Sequence, residues 1–445
     1  MAHDRTTHIL LLCAGGLLLA LVADPQISEA QSAATHTGEA ELETNPSIDT
    51  VQRYAVEHNP AIRAALKAWK AAQMSVVIDS SYENPLVTYM PNTNSMVWTV
   101  TGMETNGFGV SQVLPFPGKL SYRGRVATHE AASAYEKFRT VIQETERQVW
   151  VSYAGYYLAD RALGVNEDTT RLARLFEAIA EAKYKVGKVP EQDVIQAQEE
   201  ITQLAVQRVD LQKARNSAIG NLNTILDRAP RAPIGKPAEL GAAPIITSLD
   251  QFVKESRTLR PELKAEEHMI KARESSVTLA KMIYLPDFQI GGQYIGVDGN
   301  TGLPGHESNG QAIWTAMIGL SVPIWLNRVG AQVDQAKAQL QQEKSTRHNI
   351  ENTVADQVQN AYEQLVAAAR NEAIYRTTLI PQTAERIRSA EAGYQTGIVD
   401  FLTLIDSLKS YEDVRLRHYE TIAQYHVSGA NLSRAVGMSI KEIIK

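Results

Sequence analysis

The chain has 445 residues and a net charge of −6, with 21% charged and 44% hydrophobic residues. That balance lacks the basic footprint of a nucleic-acid binder, so no nucleic-acid partner is expected. A single cysteine rules out a disulfide framework, and no Walker A motif, dinucleotide fingerprint or HExxH signature points to an enzyme or a resident cofactor.

At the N-terminus, Arg5 precedes an apolar run from Ile9 to Ala23, followed by the small-x-small site Ser28-Glu29-Ala30. This predicts a signal peptide over 1–30, too short to span a membrane as a helix. Cleavage after Ala30 removes Cys13 and leaves a cysteine-free chain, as suits an exported protein. Cys13 could instead carry a lipid, although Leu12 is large for the position before a lipidated cysteine. Residues 31–46 read as a flexible segment. Beyond residue 30 there is no long apolar segment, so the mature chain is either soluble or crosses a membrane as a β-barrel.

The first structural repeat runs over 47–228. A helix opens at Asn59-Pro60-Ala61-Ile62 and runs into Asn84-Pro85. Strand-like stretches follow at Leu86–Met90, Met96–Thr101 and Phe108–Leu114, with turn chemistry at Pro91-Asn92 and Asn106-Gly107. From Leu120 to about Lys185 there is no proline, and Ile142, Val149 and Tyr156 recur every seventh residue. At ~1.5 Å per residue that helix is ~100 Å long. The return helix, from Pro190 to about Asp227, spaces Ala197, Leu204, Leu211, Ala218 and Ile225 by seven, which predicts coiled-coil packing.

A Pro- and Ala-rich linker covers 229–246, and a second repeat covers 247–438. Pro60 and Pro85 recur as Pro261 and Pro286, both 201 positions on. Tyr184-Lys185-Val186-Gly187 returns as Tyr394-Gln395-Thr396-Gly397, 210 positions on. The period far exceeds the ~20–50 residues of a solenoid unit, so these are two copies of one large unit. In the second copy Phe288, Ile290 and Tyr294 alternate with polar or small residues, and a loop rich in Gly and Asn spans 298–310. Alternation resumes at Trp314, Ala316, Ile318 and Leu320, giving a hairpin. Helices are expected from Val329 to Thr396, with a kink at Pro381, and from Val399 to Val436; residues 439–445 form a tail.

Four strands cannot close a membrane barrel, since the smallest have about eight. Either the strands form a small sheet on a soluble domain, or several chains pool their hairpins. Trp98, Trp314 and Trp325, with Tyr89, lie near strand ends, where they suit an aromatic girdle or ordinary sheet packing.

Four marks occur in order: the duplicated helix–hairpin–helix–helix plan, QVLPFPGKL over Gln112–Leu120, Ser321-Val322-Pro323 at the matching point of the second copy, and the two Tyr-x-x-Gly turns. Over 47–438 the chain resembles the TolC-type outer-membrane factors, exit ducts of tripartite efflux pumps and type I secretion systems. The resemblance implies a mainly α fold with a small β part. It implies a homotrimer in which three chains give four strands each to a twelve-stranded transmembrane barrel in the outer membrane of a Gram-negative bacterium. The long helices would form an α-barrel in the periplasm, belted at its equator by the Arg228–Ser248 linker and the C-terminal residues. The implied partners are outer-membrane lipid, a periplasmic adaptor (membrane fusion) protein and an inner-membrane pump of the RND type; no metal or cofactor is implied. The implied cargo is small toxic compounds or metal cations.

By the same resemblance, Tyr184, Gly187, Lys188, Tyr394, Gly397 and Ile398 form the adaptor-docking tip. Asp193 and Tyr394 match partners in the network that closes the tip, while the arginine of that network falls at Val399. Asp406 matches an aspartate that projects into the lumen, where three like charges around one axis repel. The family's second acidic ring falls at Thr403. QVLPFPGKL is similar to members that serve heavy-metal pumps, and Met90, Met96 and Met103 are soft ligands or plain packing. The ten histidines show no paired ligand spacing. A periplasmic coiled-coil adaptor or scaffold is the competing reading, although adaptors carry one helical hairpin per chain and this chain has two.

Overall fold

The computed structural model describes residues 39–44, 46–91, 98–99, 102–298 and 312–444. The expected leader, Cys13, Met96 and most of the 298–310 loop lie outside them. In chain order the elements are α1 (39–44), α2 (Ile48–His58), α3 (Pro60–Ser80), β1 (Leu86–Met90), β2 (Trp98–Thr99), β3 (Gly102–Leu114), α4 (Lys119–Lys185) and α5 (Glu191–Ile225). The second half repeats the order with α6 (Leu249–Leu259), α7 (Pro261–Lys281), β4 (Asp287–Asp298), β5 (Ile313–Ser321), α8 (Leu326–Ile374), α9 (Ile380–Thr396), α10 (Phe401–Val436) and a short α11 (Ile440–Ile443). Between α8 and α9 a π-helical stretch covers Tyr375–Leu379. Pro381 accounts for it, because its ring has no N–H and crowds the carbonyl of Thr377, so the ladder widens there.

The strands form one antiparallel sheet in the order β1-β3-β4-β5, and β2 pairs with β3 on the same edge as β1. The sheet is therefore four positions wide, with β1 and β5 at its open edges. Tyr89, Phe108, Tyr294 and Trp314 stand in one row across it. Residues directly opposite share a face, so this face also carries Val87, Val110, Ile290, Ile318 and Leu320. The other face is mixed, with Thr88, Gly109, Ser111, Gln289, Gln293, Thr315 and Gly319 beside Leu86, Met90, Val113, Ile295, Ile313 and Met317. The apolar face is bare: Trp314 is 80% and Ile318 82% exposed.

Asn106-Gly107 is not a turn. It lies inside β3, where the register against β4 shifts between Glu104 and Gly107. Asn-Gly suits a bulge as well as a turn. A side chain at Gly107 would start 3.4 Å from the Tyr294 carbonyl.

The 67-residue α4 carries the fold. Near its C-terminal end Ala173, Phe176 and Ala180 pack on Ala197 and Leu204 of α5 and on Tyr394, Phe401 and Leu404. The seven-residue seam of α5 is buried at Ala197 and Leu204 but only half-buried at Leu211, Ala218 and Ile225. There α5 is an edge helix with one free side.

Two joints stack helices end to end. Asn59 caps α3 by accepting from Ala61 N at 2.9 Å, and its Nδ2 donates to Ile225 O at the end of α5, 2.8 Å away. In the second copy Arg260 takes this place and donates Nη1 to Ala435 O of α10 at 3.0 Å. The helix below each joint ends on a positive φ, 58° at Asp227 and 86° at Gly437. A Cβ on Gly437 would lie 3.0 Å from Arg260 Cα and 3.1 Å from its nitrogen. Gly437→Ala is expected to cost about 2–4 kcal/mol, from left-handed strain plus overpacking. Its urea midpoint should fall well below that of Gly155→Ala, a helical site where a Cβ meets nothing within 4 Å.

The 228–247 segment is pinned by buried tyrosines rather than by secondary structure. Tyr153 donates to Pro46 O at 2.7 Å and accepts from Ala238 N at 2.9 Å. Tyr156 donates to Gly235 O at 2.7 Å, and Tyr425 to Ala243 O at 3.0 Å. His426 lies 2.9 Å through Nε2 from Gly241 O, and its ring stacks on Trp150.

Burial holds the His426 imidazole neutral, down to about pH 4. Its usual value is higher, so below about pH 6.5 the unfolded chain takes up a proton that the folded chain refuses. Stability is full above that pH and falls towards pH 4, by on the order of 3 kcal/mol. The melting temperature of wild type should drop more steeply over this window than that of His426→Gln. Parallel curves would contradict the assignment.

Candidate functional site

The ends of the two long helical hairpins meet at one tip. In the first, Gly187 N donates to Tyr184 O at 2.8 Å and Lys188 N to Lys183 O at 2.9 Å. In the second, Gly397 N donates to Tyr394 O at 3.2 Å and Ile398 N to Gly393 O at 2.9 Å. Both glycines adopt positive φ, 71° and 84°, which L side chains resist by ~1–2 kcal/mol. Neither has any atom within 4 Å of its Cβ position, so the backbone there is open. Glu191 and Asp193 fall in the first turn of α5, where carboxylates suit the helix dipole. Asp400 caps α10 by accepting from Thr403 N at 2.8 Å, and these hydrogen bonds hold its carboxyl below the usual range.

Tyr394 ties the two turns together. Its ring is buried and meets the Phe401 ring edge-on at 5.3 Å. The Lys183 ammonium lies 4.3 Å over its ring centroid and donates to its carbonyl. Its hydroxyl donates to Asp193 Oδ2 at 2.9 Å. Burial first, then that bond to a carboxylate, push the phenol well above its usual range. Asp193 and Tyr394 are thus in direct contact within one chain.

Asp406 sits apart from them on α10, exposed, in an ion pair with Arg386 of α9. Arg386 also reaches Ser410 Oγ at 3.3 Å. The carboxylate therefore has its counter-charge within its own chain. Thr403 spends its N–H on the Asp400 cap. Val399 packs on Gly393, where an added Cβ would stand 2.5 Å from Val399 Cγ2. Tyr184 and Lys188 are exposed, and Ile398 is 84% exposed. Lys183, Arg386 and Gly393 escape sequence reasoning. The Arg386–Asp406 pair spans two helices with no local spacing, whereas Gly393, four before Gly397, was findable.

At the sheet end, Trp314 meets Tyr294 edge-on at 5.0 Å. Trp325 stands exposed at the N-cap of α8, beyond the opposite end of β5. The backbone of Trp98 pairs with Met103; their side chains lie outside the described residues. QVLPFPGKL has a structural use: buried Lys119 binds Asp287 Oδ1 at 2.7 Å and Leu285 O at 2.9 Å, and Phe116 N donates to Asp287 at 2.8 Å. It locks the first copy to the second where sheet meets helices. Met90 Sδ accepts from Gln293 at 3.6 Å. Among the described residues there is no group of three His, Cys, Asp or Glu able to hold a metal ion.

The sequence pattern of the family described as outer membrane efflux protein matches residues 52–227 and 252–438. The chain is 23% identical over 327 residues to the antibiotic efflux pump outer membrane protein ArpC of Pseudomonas putida, covering 71% of this chain and 66% of the relative, just under two thirds of its length. It is 23% identical over 394 residues to protein CyaE of Bordetella pertussis, covering 86% and 82%. Among solved structures it is similar to CusC, with a TM-score of 0.73 at 18% identity over 88% of this chain and 92% of the other. A membrane protein from Pseudomonas aeruginosa gives 0.75 at 19% identity over 90% and 92%.

Proposed function

The chain belongs to the outer membrane efflux protein family, and we propose on that premise that three copies form the outer-membrane channel of a tripartite efflux system. The observation that carries this reading is the sheet. It is four positions wide, bare on its apolar face and open at both edges, so alone it would expose unpaired backbone groups to lipid. Three sheets joined edge to edge give twelve strands, above the minimum of about eight, and remove every edge. At three of the four positions the strands have 13, 12 and 9 residues, long enough to cross, since a tilted spanning strand needs about 9–11; the fourth position holds β1 and β2, 5 and 2 residues among the described ones. Trp314 and Trp325 then stand near the two interfaces.

In this reading residues 1–30 are the export signal, and the helices hang into the periplasm with their tip towards the adaptor and an RND-type pump. The cargo is small toxic organic compounds, in line with the antibiotic efflux pump to which the P. putida relative belongs. The metal reading loses weight because the Lys119–Asp287 lock accounts for QVLPFPGKL on its own.

Gly187 and Gly397 offer open backbone at the tip, where a partner can approach closely. Gly187→Trp and Gly397→Trp each meet left-handed strain of ~1–2 kcal/mol but no clash with a residue beyond the chain neighbours, so they are expected to leave the trimer folded and to abolish adaptor coupling. Drug accumulation in a strain expressing each variant checks this; full efflux by both would sink the docking role.

A further inference from the structure

Where α7 starts above the end of α10, the wall between α4 and α8 opens into a cleft of about 390 Å³. Three guanidiniums converge on it from different elements, those of Arg147, Arg260 and Arg434, and they share two carboxylates. Arg147 Nε donates to Glu144 at 3.1 Å. Arg434 pairs with Glu262 through Nη2, and its Nε is 3.4 Å from Glu144. Arg260 Nε donates to Glu262 at 3.2 Å. Of the remaining nitrogens, Arg147 Nη1 reaches Asn431 Oδ1 at 3.3 Å, while Arg434 Nη1 is buried with no hydrogen-bond partner.

Three positive charges against two negative leave one without a counter-charge, where Arg260 is only 7% exposed. Burial, with Arg434 alongside, pulls the Arg260 guanidinium below its usual range despite Glu262. A buried charge without a counter-charge is unfavourable, because no solvent replaces the lost hydration. The open side of the cleft carries the amides of Gln357, Gln364 and Asn431, all able to donate. We propose that this cleft binds a small oxyanion or carboxylate, held by the arginines and amides, which supplies the missing negative charge.

The cleft also has a defined side. On α8, Tyr362, Val366, Ala369 and Ala373 face the linker segment 242–245. Gln357 and Gln364 lie roughly half a turn round the same helix, on the opposite side. The site itself needs one chain; its opening into a duct lumen, with the linker belting the outside, rests on the channel reading above.

Titration calorimetry of the detergent-extracted wild type with sodium sulfate and with sodium benzoate, at fixed ionic strength, tests the proposal. Saturable binding of one anion per chain is expected. Gln364→Glu, which brings its own carboxylate to the cleft, should bind at least tenfold more weakly and melt no lower than wild type. Arg147→Gln should also bind at least tenfold more weakly. Sulfate binding alone assigns the site to a free inorganic anion, and binding of both extends it to a carboxylate on cargo. No saturable binding by wild type, or unchanged binding in both variants, overturns the site. Particle mass on the same sample keeps the questions apart: a binding monomer would refute the channel and keep the site, and a trimer that binds nothing would do the reverse.

Discussion

Ile318→Arg is expected to abolish the assembled channel in the outer membrane. Ile318 lies in the middle of β5, paired with Ile290, on the apolar face. In a closed barrel that face meets lipid, where an arginine at mid-depth costs ~2–4 kcal/mol. A barrel of three chains, as proposed, would carry the change three times, so the total would approach ~6–12 kcal/mol, comparable to the whole stability of a domain. Thr315→Arg is the matched control. It sits on the same strand, opposite Gln293, with its side chain on the other, mixed face, which would line the lumen, and should assemble nearly normally. Unboiled electrophoresis of outer-membrane fractions reads both. An assembled Ile318→Arg beside a lost Thr315→Arg would reverse the assignment of the two faces.

Tyr153→Ala is the second large effect. The side chain is fully buried in a cluster with Val51, Tyr54, Leu222 and Leu226, and emptying such a site costs ~3–5 kcal/mol. Its hydroxyl also joins two separate chain segments, the approach to α2 at Pro46 and the linker at Ala238. Tyr153→Phe keeps the packing and strands those two backbone groups, for ~1–3 kcal/mol. Burial pushes the phenol up to about 12, so the hydroxyl keeps its proton and donates across the physiological range. Denaturant midpoints should rank wild type above Tyr153→Phe above Tyr153→Ala. A phenylalanine variant as unstable as the alanine one would place the energy in the hydrogen bonds rather than the packing.

What could be read from residues alone was whatever is local or periodic. The proline-free run after Leu120 forecasts α4 closely, because no breaker interrupts it and its recurring apolar residues, such as Val149 and Tyr156, give it a face to bury. Pro381 marks the π-helical stretch because its effect falls on the preceding turn. The alternation Trp314, Ala316, Ile318, Leu320 gives both β5 and its apolar face. The tip turns are legible because Gly187 and Gly397 answer a backbone demand that few other residues meet. Misreadings arise where one local signal serves two geometries, as at Asn106-Gly107, where a bulge and a turn want the same pair. The α5 seam is covered unevenly: Ala218 and Ile225 pack at the margin of the cluster around Tyr153 and Leu222 while Leu211 stays half-buried, and a heptad says that a face is apolar but not how completely the same chain covers it. Contacts between distant segments leave no spacing to read: Arg386–Asp406, Lys119–Asp287 and the tyrosines that hold the linker appear only once the helices are side by side.

The most direct test of the three-chain barrel is the mass of the detergent-extracted mature protein, followed by its behaviour in a planar lipid bilayer. A particle of three chains that passes a steady ion current is the predicted result. A single-chain particle that stays in aqueous buffer and passes no current would contradict the account.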